Sequence, residues 1–263
     1  MGISRDQILA YGDELYDALR ERRTITPFTE RTPEITIDDA YHVSLRMVQR
    51  RLDAGERIVG KKIGVSSRAV QKMLDVHQPD FGYLTDRMQY PNGAELPLST
   101  ELIQPRAEGE IAFVLRKGLT GDDVTPEQVL DATDYITPCF EVVDSRIRDW
   151  KIRIQDTVAD NASCGVFVLG DARVNPRDVD LETCGMVVWK NGEIVSTGAG
   201  AAALGNPLNC VAWLASTLGR YGITLDAGDI ILSGSLVPLE PVVAGDHMEL
   251  AIGGIGRASV RFV

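Results

Sequence analysis

Hydrophobic and polar positions follow two different periods along this chain, and the change falls near residue 58. Before it the spacing is helical. Ser4 and Gln7 form a capping box ahead of Ile8, Leu15, Tyr16 and Leu19 on one face. After a loop holding Pro27 and Pro33, Thr36 caps a second helix with the stripe Tyr41, Leu45, Val48 and Leu52, which Gly55 ends. His42 lies beside that stripe as an ordinary surface or half-buried histidine.

Beyond residue 58 short apolar runs alternate with turn residues. Ile58–Gly64 reads as a strand, Ser66-Ser67 starts a brief helix reaching Leu74, and residues 75–82 read as a polar loop. Thr125-Pro126 and Asn206-Pro207 begin two further helices, the second carrying Leu208, Val211, Ala215 and Leu218. Met186–Trp189 and Ile194–Thr197 flank Asn191-Gly192, the signature of a type I′ hairpin. DIILSGS, MELAI and ASVRFV supply the last strands. Helices grouped at the front and inserted singly into a β-rich remainder suit an α+β fold, with a helical N-terminal region over 1–57 and a β-rich catalytic domain over 58–263.

The chemistry concentrates in acids at strand positions. Glu108 and Glu110 are two apart, so on a strand their carboxylates project side by side, and Glu141 opens another apolar segment. Like charges beside a buried sheet are costly unless a cation sits between them, and hard oxygen donors favour Mg2+, Mn2+ or Ca2+ over Zn2+. The alternative is a pair of solvated carboxylates at a strand end. Either Lys61 or Lys62 points to the interior, where it is paired or functional. Asp80 reads as a turn former and His77 as a loop histidine. Glu141 and Asp144 have Arg146 and Arg148 as available partners, and Asp160-Asn161-Ala162-Ser163 is suited to cap a helix or line a pocket. The run Gly198–Gly205 is out of register for dinucleotide binding and marks close backbone passage.

Net charge of −11 and the lack of a basic face exclude a nucleic-acid partner. No run has the length of a membrane span, and the early charges of MGISRDQ are unlike a secretory leader, which makes a cytoplasmic protein the expectation. Four scattered cysteines (139, 164, 184 and 210) read as reduced, buried thiols.

Five stretches, KKIGVSSRAVQKMLDVHQPDFGYL, LIQPRAEGEIAFVL, CFEVVDSRIRDWKIRIQDTVADNASCG, STGAGAAALGNPLN and GDIILSGSLVPLEPVVAGD, resemble the 2-hydroxypenta-2,4-dienoate (2-keto-4-pentenoate) hydratases of the fumarylacetoacetate hydrolase superfamily. The resemblance implies a mixed β-sandwich roll behind a small helical region. It implies Mg2+ or Mn2+ held by Glu108, Glu110 and Glu141, with acid/base work on Lys62 and Asp80. Lys62 also helps admit an anionic substrate, and Ser163 and Ser235 are candidates for hydrogen bonds to it. The implied activity is that of a hydro-lyase of meta-cleavage aromatic degradation, protonating the dienol and then adding water at the fourth carbon. A homo-oligomer, a ring-based decamer, and association with 4-oxalocrotonate decarboxylase belong to the same resemblance. The rival readings are that decarboxylase activity itself and a non-catalytic metal-binding scaffold; Asp80 within QPDFG favours hydration.

Overall fold

The computed structural model describes residues 2–263. Its helices are α1 (Arg5–Glu21), α2 (Phe28–Arg31), α3 (Ile37–Asp53), α4 (Arg68–Met73), α5 (Leu98–Glu101), α6 (Pro126–Ala132), α7 (Ile154–Ala159) and α8 (Pro207–Gly219). The strands run β1 (Ile58–Gly64), β2 (Asp80–Thr85), β3 (Gln89–Tyr90), β4 (Glu95–Leu96), β5 (Pro105–Leu115), β6 (Thr133–Asp144) and β7 (Val166–Leu169). They continue as β8 (Gly185–Lys190), β9 (Glu193–Ala199), β10 (Ile230–Leu232), β11 (Glu240–Pro241), β12 (His247–Ile252) and β13 (Gly256–Phe262). None of the helices described is long and apolar enough to cross a membrane.

Two sheets carry the fold. The larger has the order β2-β1-β10-β5-β6-β7-β3, with β11 paired to β5; the smaller is β4-β13-β12-β8-β9. One face of the large sheet packs on the small one: Ile63, Ile111, Phe113 and Phe140 share a buried cluster with Met186, Leu250 and Ile252. Gly109 belongs to that face. A Cβ there would lie 2.5 Å from the Met186 sulfur, so the glycine between Glu108 and Glu110 is what lets the two sheets close.

The helical region builds its own core, and α3 also reaches the sheet, where Val48 joins the cluster that holds Ile63, Phe81 and Tyr83. Leu15 and Ala18 of α1 and Ala40, Val43 and Met47 of α3 pack with Ile147 and with Ile154, Val158 and Ala159. Each large side chain so buried contributes about 1.5–3 kcal/mol. Thr36 closes a full capping box with Asp39, as its sequence suggests. At α1 only half the box forms: Ser4 accepts from the Gln7 amide, while the Gln7 side chain turns to Tyr11 and Thr32. The expected α3 stripe holds at Val48, which is buried, and at Tyr41 and Leu52, which pack against the same core, but Leu45 is 44% exposed; Val43, Met47 and Arg51 are buried as well, because α1 and α7 contact the helix from a side the sequence does not name.

The Asn191-Gly192 hairpin forms with both residues at positive φ, and Asn206 caps α8. The Gly198–Gly205 run does make close backbone passages: Cβ atoms at Gly198 and Gly200 would sit 1.9 and 1.7 Å from the carbonyls of Leu236 and Leu181. The four cysteines are buried and free. Residues 75–82 are not loop throughout, since β2 begins at Asp80 and pairs antiparallel with β1.

Candidate active site

Register decides which side chains meet. Residues opposite one another in a ladder share a face. Glu108 pairs with Glu141 and Glu110 with Cys139 across β5 and β6. Ala112, two further on, pairs with Leu232, which pairs with Lys62, and Gly64 pairs with Asp80. Glu108, Glu110, Glu141, Lys62 and Asp80 therefore stand on one face of the large sheet, the face turned away from the small sheet.

The three glutamates bring one carboxylate oxygen each within 4.8 Å of the others. Lys62 Nζ lies 3.1 Å from Glu141 Oε1, with both side chains almost wholly buried. At that spacing each ionised pair of carboxylates repels by about 3 kcal/mol, with an effective dielectric constant near 20. Three such pairs approach the whole stability of a domain, and one ammonium offsets only part of it.

The surrounding hydrogen bonds do not supply the rest. Glu110 Oε1 and both oxygens of Glu141 are buried without a hydrogen-bond partner, as is Asp80 Oδ1; the Lys62–Glu141 contact is an ion pair lacking hydrogen-bond alignment. Glu110 Oε2 accepts from the Gly234 amide. Orphaned carboxylate oxygens converging in a buried pocket fit a hard divalent cation and little else. Glu108, Glu110 and Glu141 would hold it; without it Glu108 is pushed up to about 8 by burial and the Glu141 charge, and Glu110 is raised by burial and by the charges of Glu141 and Glu108.

The neighbouring groups divide by charge. Burial alone would lower the Lys62 pKa, but Glu141, Cys164, Asp80 and Glu108 together raise it, so the ammonium stays charged. Asp80 is pushed up to about 6 by burial, with Lys62 pulling the other way. The Cys164 thiol, beside them, is pushed up to about 12 by burial and is inert as a nucleophile.

Several sequence expectations change here. Both lysines are buried, not one. Lys61 faces the opposite side and pairs with Asp229 at 2.8 Å, because β1 is an interior strand with packing on both faces. Asp80 forms no Asx turn; it opens a strand. Arg146 pairs with neither the Glu141 nor the Asp144 carboxylate, though it donates to the Asp144 backbone carbonyl. It is fully buried against Asp160 at 2.6 Å, while the Asp144 carboxylate accepts from the Ile103 and Gln104 amides and Arg148 is exposed. Ser163 is occupied by Thr157 at 3.3 Å. Ser235 lies at the site, where its hydroxyl helps hold down the Glu108 pKa.

Three features went unread in the sequence. Gly64 makes room for Asp80, since a Cβ there would stand 2.3 Å from Asp80 Oδ1 and 3.4 Å from Lys62 Nζ. Gly234, at φ 95°, donates to Glu110. Asn161 grips the backbone of β2 from both sides, accepting from the Tyr83 amide and donating to its carbonyl at 2.8 and 2.9 Å. The spaced glycines of Gly60–Gly64 and the Ser-Gly-Ser at 233–235 were the available signals for the first two.

Comparison with known proteins identifies the family. Residues 57–263 match the fumarylacetoacetate (FAA) hydrolase C-terminal family. A 2-hydroxypent-2,4-dienoate hydratase of Pseudomonas putida is 69% identical over 81% of this chain and 96% of its own length. A 2-hydroxyhexa-2,4-dienoate hydratase of Comamonas testosteroni is 57% identical over 95% of this chain and 96% of its own. Among solved structures, 4-oxalocrotonate decarboxylase from Pseudomonas putida G7, complexed with magnesium and adipate, superposes with a TM-score of 0.96 at 38% identity, covering 99% of each chain. With its matching two-sheet core and its carboxylate cluster on one sheet face, this chain belongs to the fumarylacetoacetate hydrolase family.

Proposed function

We propose that this chain is a divalent-metal-dependent hydro-lyase that adds water to 2-hydroxypenta-2,4-dienoate, giving 4-hydroxy-2-oxopentanoate. The observation that carries the reading is the set of unpartnered carboxylate oxygens of Glu110 and Glu141 beside Glu108, with Lys62 and Asp80 on the same sheet face. The two hydratases similar over most of this chain support hydration, and the magnesium of the superposable decarboxylase supports the metal.

A divalent cation held by the three glutamates, Mg2+ or Mn2+, supplies Lewis acidity toward the adjacent oxygens of a 2-oxo acid. The side chains do the rest. Lys62, kept charged by its acidic neighbours, offsets the negative charge of the substrate's carboxylate. Asp80, whose carboxyl burial pushes up to about 6, is assigned two proton transfers: delivery to the fifth carbon of the dienol as the enol hydroxyl gives up its proton, then removal of a proton from the water adding at the fourth carbon as the third carbon takes one up. Burial of Asp80 keeps bulk water from competing for that proton. The same reading includes assembly of several copies and association with the decarboxylase.

The test is loss of the dienol's ultraviolet absorbance after chelation and after restoring Mg2+ or Mn2+, with the product identified. Metal-dependent formation of the hydroxy-oxo acid is the expected result. Carbon dioxide release would assign the decarboxylase reaction instead, and absorbance unchanged at saturating metal would leave a scaffold.

A further inference from the structure

Asp80 and Glu141 stand on strands that are far apart in the large sheet. β2, which carries Asp80, ends its order, and β1, β10 and β5 lie between it and β6, which carries Glu141. Through the ladder alone, their separation depends on four strand pairings in series. A second connection joins the two strands outside that ladder. Arg146 lies two residues beyond β6, fully buried against the equally buried Asp160. Asp160 accepts from the Arg146 side chain at 2.6 Å and from its amide at 2.9 Å. Arg146 also donates to the carbonyls of Asp160 and Cys164, at 2.6 and 2.8 Å, so it ties down both ends of the turn Asn161–Ser163.

From that turn the buried Asn161 side chain takes both the amide and the carbonyl of Tyr83, three residues after Asp80. The contact is close. A Cβ at Gly82, the residue opposite Lys62, would lie 2.4 Å from the Asn161 carbonyl and 2.7 Å from the Cys164 sulfur. The turn is also strained: Asn161, Ala162 and Ser163 have φ of 54°, 51° and 54°. Asparagine visits this left-handed region, but three such residues in a row without a glycine persist only where the surroundings impose them. The plainer account is that Asn161 covers the open edge of β2. Edge cover alone requires neither a strained turn nor a buried arginine anchored behind β6.

We infer that Asn161 is a positioning residue: it sets the place of Asp80 relative to the three glutamates by tying β2, through Asp160 and Arg146, to the end of the strand that carries Glu141. The inference rests on the proton-transfer role proposed for Asp80, and it adds to that role the residues that hold Asp80 within reach of the metal-binding acids.

The test is Asn161→Gly, since glycine accepts the positive φ without strain and the change deletes both bonds to Tyr83. In a crystal structure of the full-length variant loaded with Mg2+, the Asp80 carboxylate is expected to shift by about 1 Å relative to the glutamates. An unmoved carboxylate overturns the inference. Decay of the dienol's absorbance reads the consequence: kcat is expected to fall on the order of 10- to 100-fold, with KM and Mg2+ affinity within about twofold of the parent. In an Asp80→Asn background the same change is expected to cost less than about twofold more, because residues acting as one unit are not additive. A full second loss in that background, or metal affinity falling in step with the rate, marks a merely structural role and overturns the inference. Should Asn161→Gly not fold, Asn161→Asp keeps the acceptor for the Tyr83 amide and removes the donor to its carbonyl, and it is read by the same measurements with the same outcomes. The shift is measured without turnover, so a displaced Asp80 with unaltered rates counts against its proton-transfer role and not against the positioning.

Discussion

Replacing Gly64 by alanine isolates the placement of Asp80 from the stability of the fold. The new Cβ would stand 2.3 Å from Asp80 Oδ1, where ordinary contact begins near 3.4 Å, so the carboxylate must retreat by about 1 Å. It cannot slide along the strand, because Asp80 is register-paired with Gly64 itself. Lys62 Nζ, 3.4 Å from the added carbon, need not move. A misplacement of about 1 Å at a reacting group costs on the order of 100-fold in rate. Gly64 has no positive φ, and the change adds no backbone strain. The expected variant is folded, binds Mg2+ with affinity within about twofold of the parent, and hydrates the dienol about 100-fold more slowly. The assays are absorbance decay of the dienol for rate, calorimetry for metal, and thermal unfolding for the fold. Gly60→Ala is the contrast. Its Cβ would press to 1.9 Å from the Ile230 carbonyl, and the expected outcome is loss of stable protein. A Gly64→Ala enzyme with rates within threefold of the parent would refute the role given to Asp80.

Lys62→Met leaves Glu141 without the ion-pair partner it has among the described residues, so the metal-free protein is expected to lose about 3–5 kcal/mol in urea unfolding, with much of it recovered on adding Mg2+. No recovery would argue that the glutamates do not share a cation. Arg146→Met strands the buried Asp160 carboxylate and frees the Asp160 and Cys164 carbonyls, and a loss of about 3–5 kcal/mol is expected by the same measurement. Asp39 sets a pH dependence. Burial would raise its pKa, but the Thr36 amide and hydroxyl and the Ile3 amide lower it below the unfolded value. Its stabilisation is therefore present above the unfolded pKa near 4 and disappears as pH falls through the lower folded one. Asp39→Asn should flatten the acid limb of the unfolding midpoint between about pH 5 and 3.

Local signals in the sequence carried most of the element assignments. Thr36, Thr125 and Asn206 cap helices, and β1 spans the stretch that alternation and flanking glycines indicate. These features succeed because capping and turn chemistry act over three or four residues. What failed depends on contacts far along the chain. Leu45 faces outward because α7, more than a hundred residues later, packs on the adjacent face of α3. Asp80 joins a strand because β1 offers it a ladder, which overrides the turn preference of Pro79-Asp80.

The site divides along the same line. Spacing places Glu108 and Glu110 on one face, and any two strand residues of that spacing would do so. Glu141 joins them only through the β5–β6 register, and no local pattern sets that register. The two lysines show the limit best. Alternation requires them to face opposite ways, and a half-buried strand would leave one in water. Here β1 lies between β2 and β10 and is covered on both faces, so each ammonium needs its own acid: Asp229 for Lys61, Glu141 for Lys62. The two pairs are not equivalent. Asp229 is served by Lys61 and by the Asp226 amide and has no unmet capacity among its buried oxygens. Glu141 keeps two oxygens without a hydrogen bond beside two more acids. A buried ion pair whose partners are satisfied is structural. One that leaves oxygens orphaned around a shared point is suited to receive a charge from outside the chain, and this asymmetry, invisible in Lys61-Lys62 as written, is what supports the role proposed for Lys62 over Lys61.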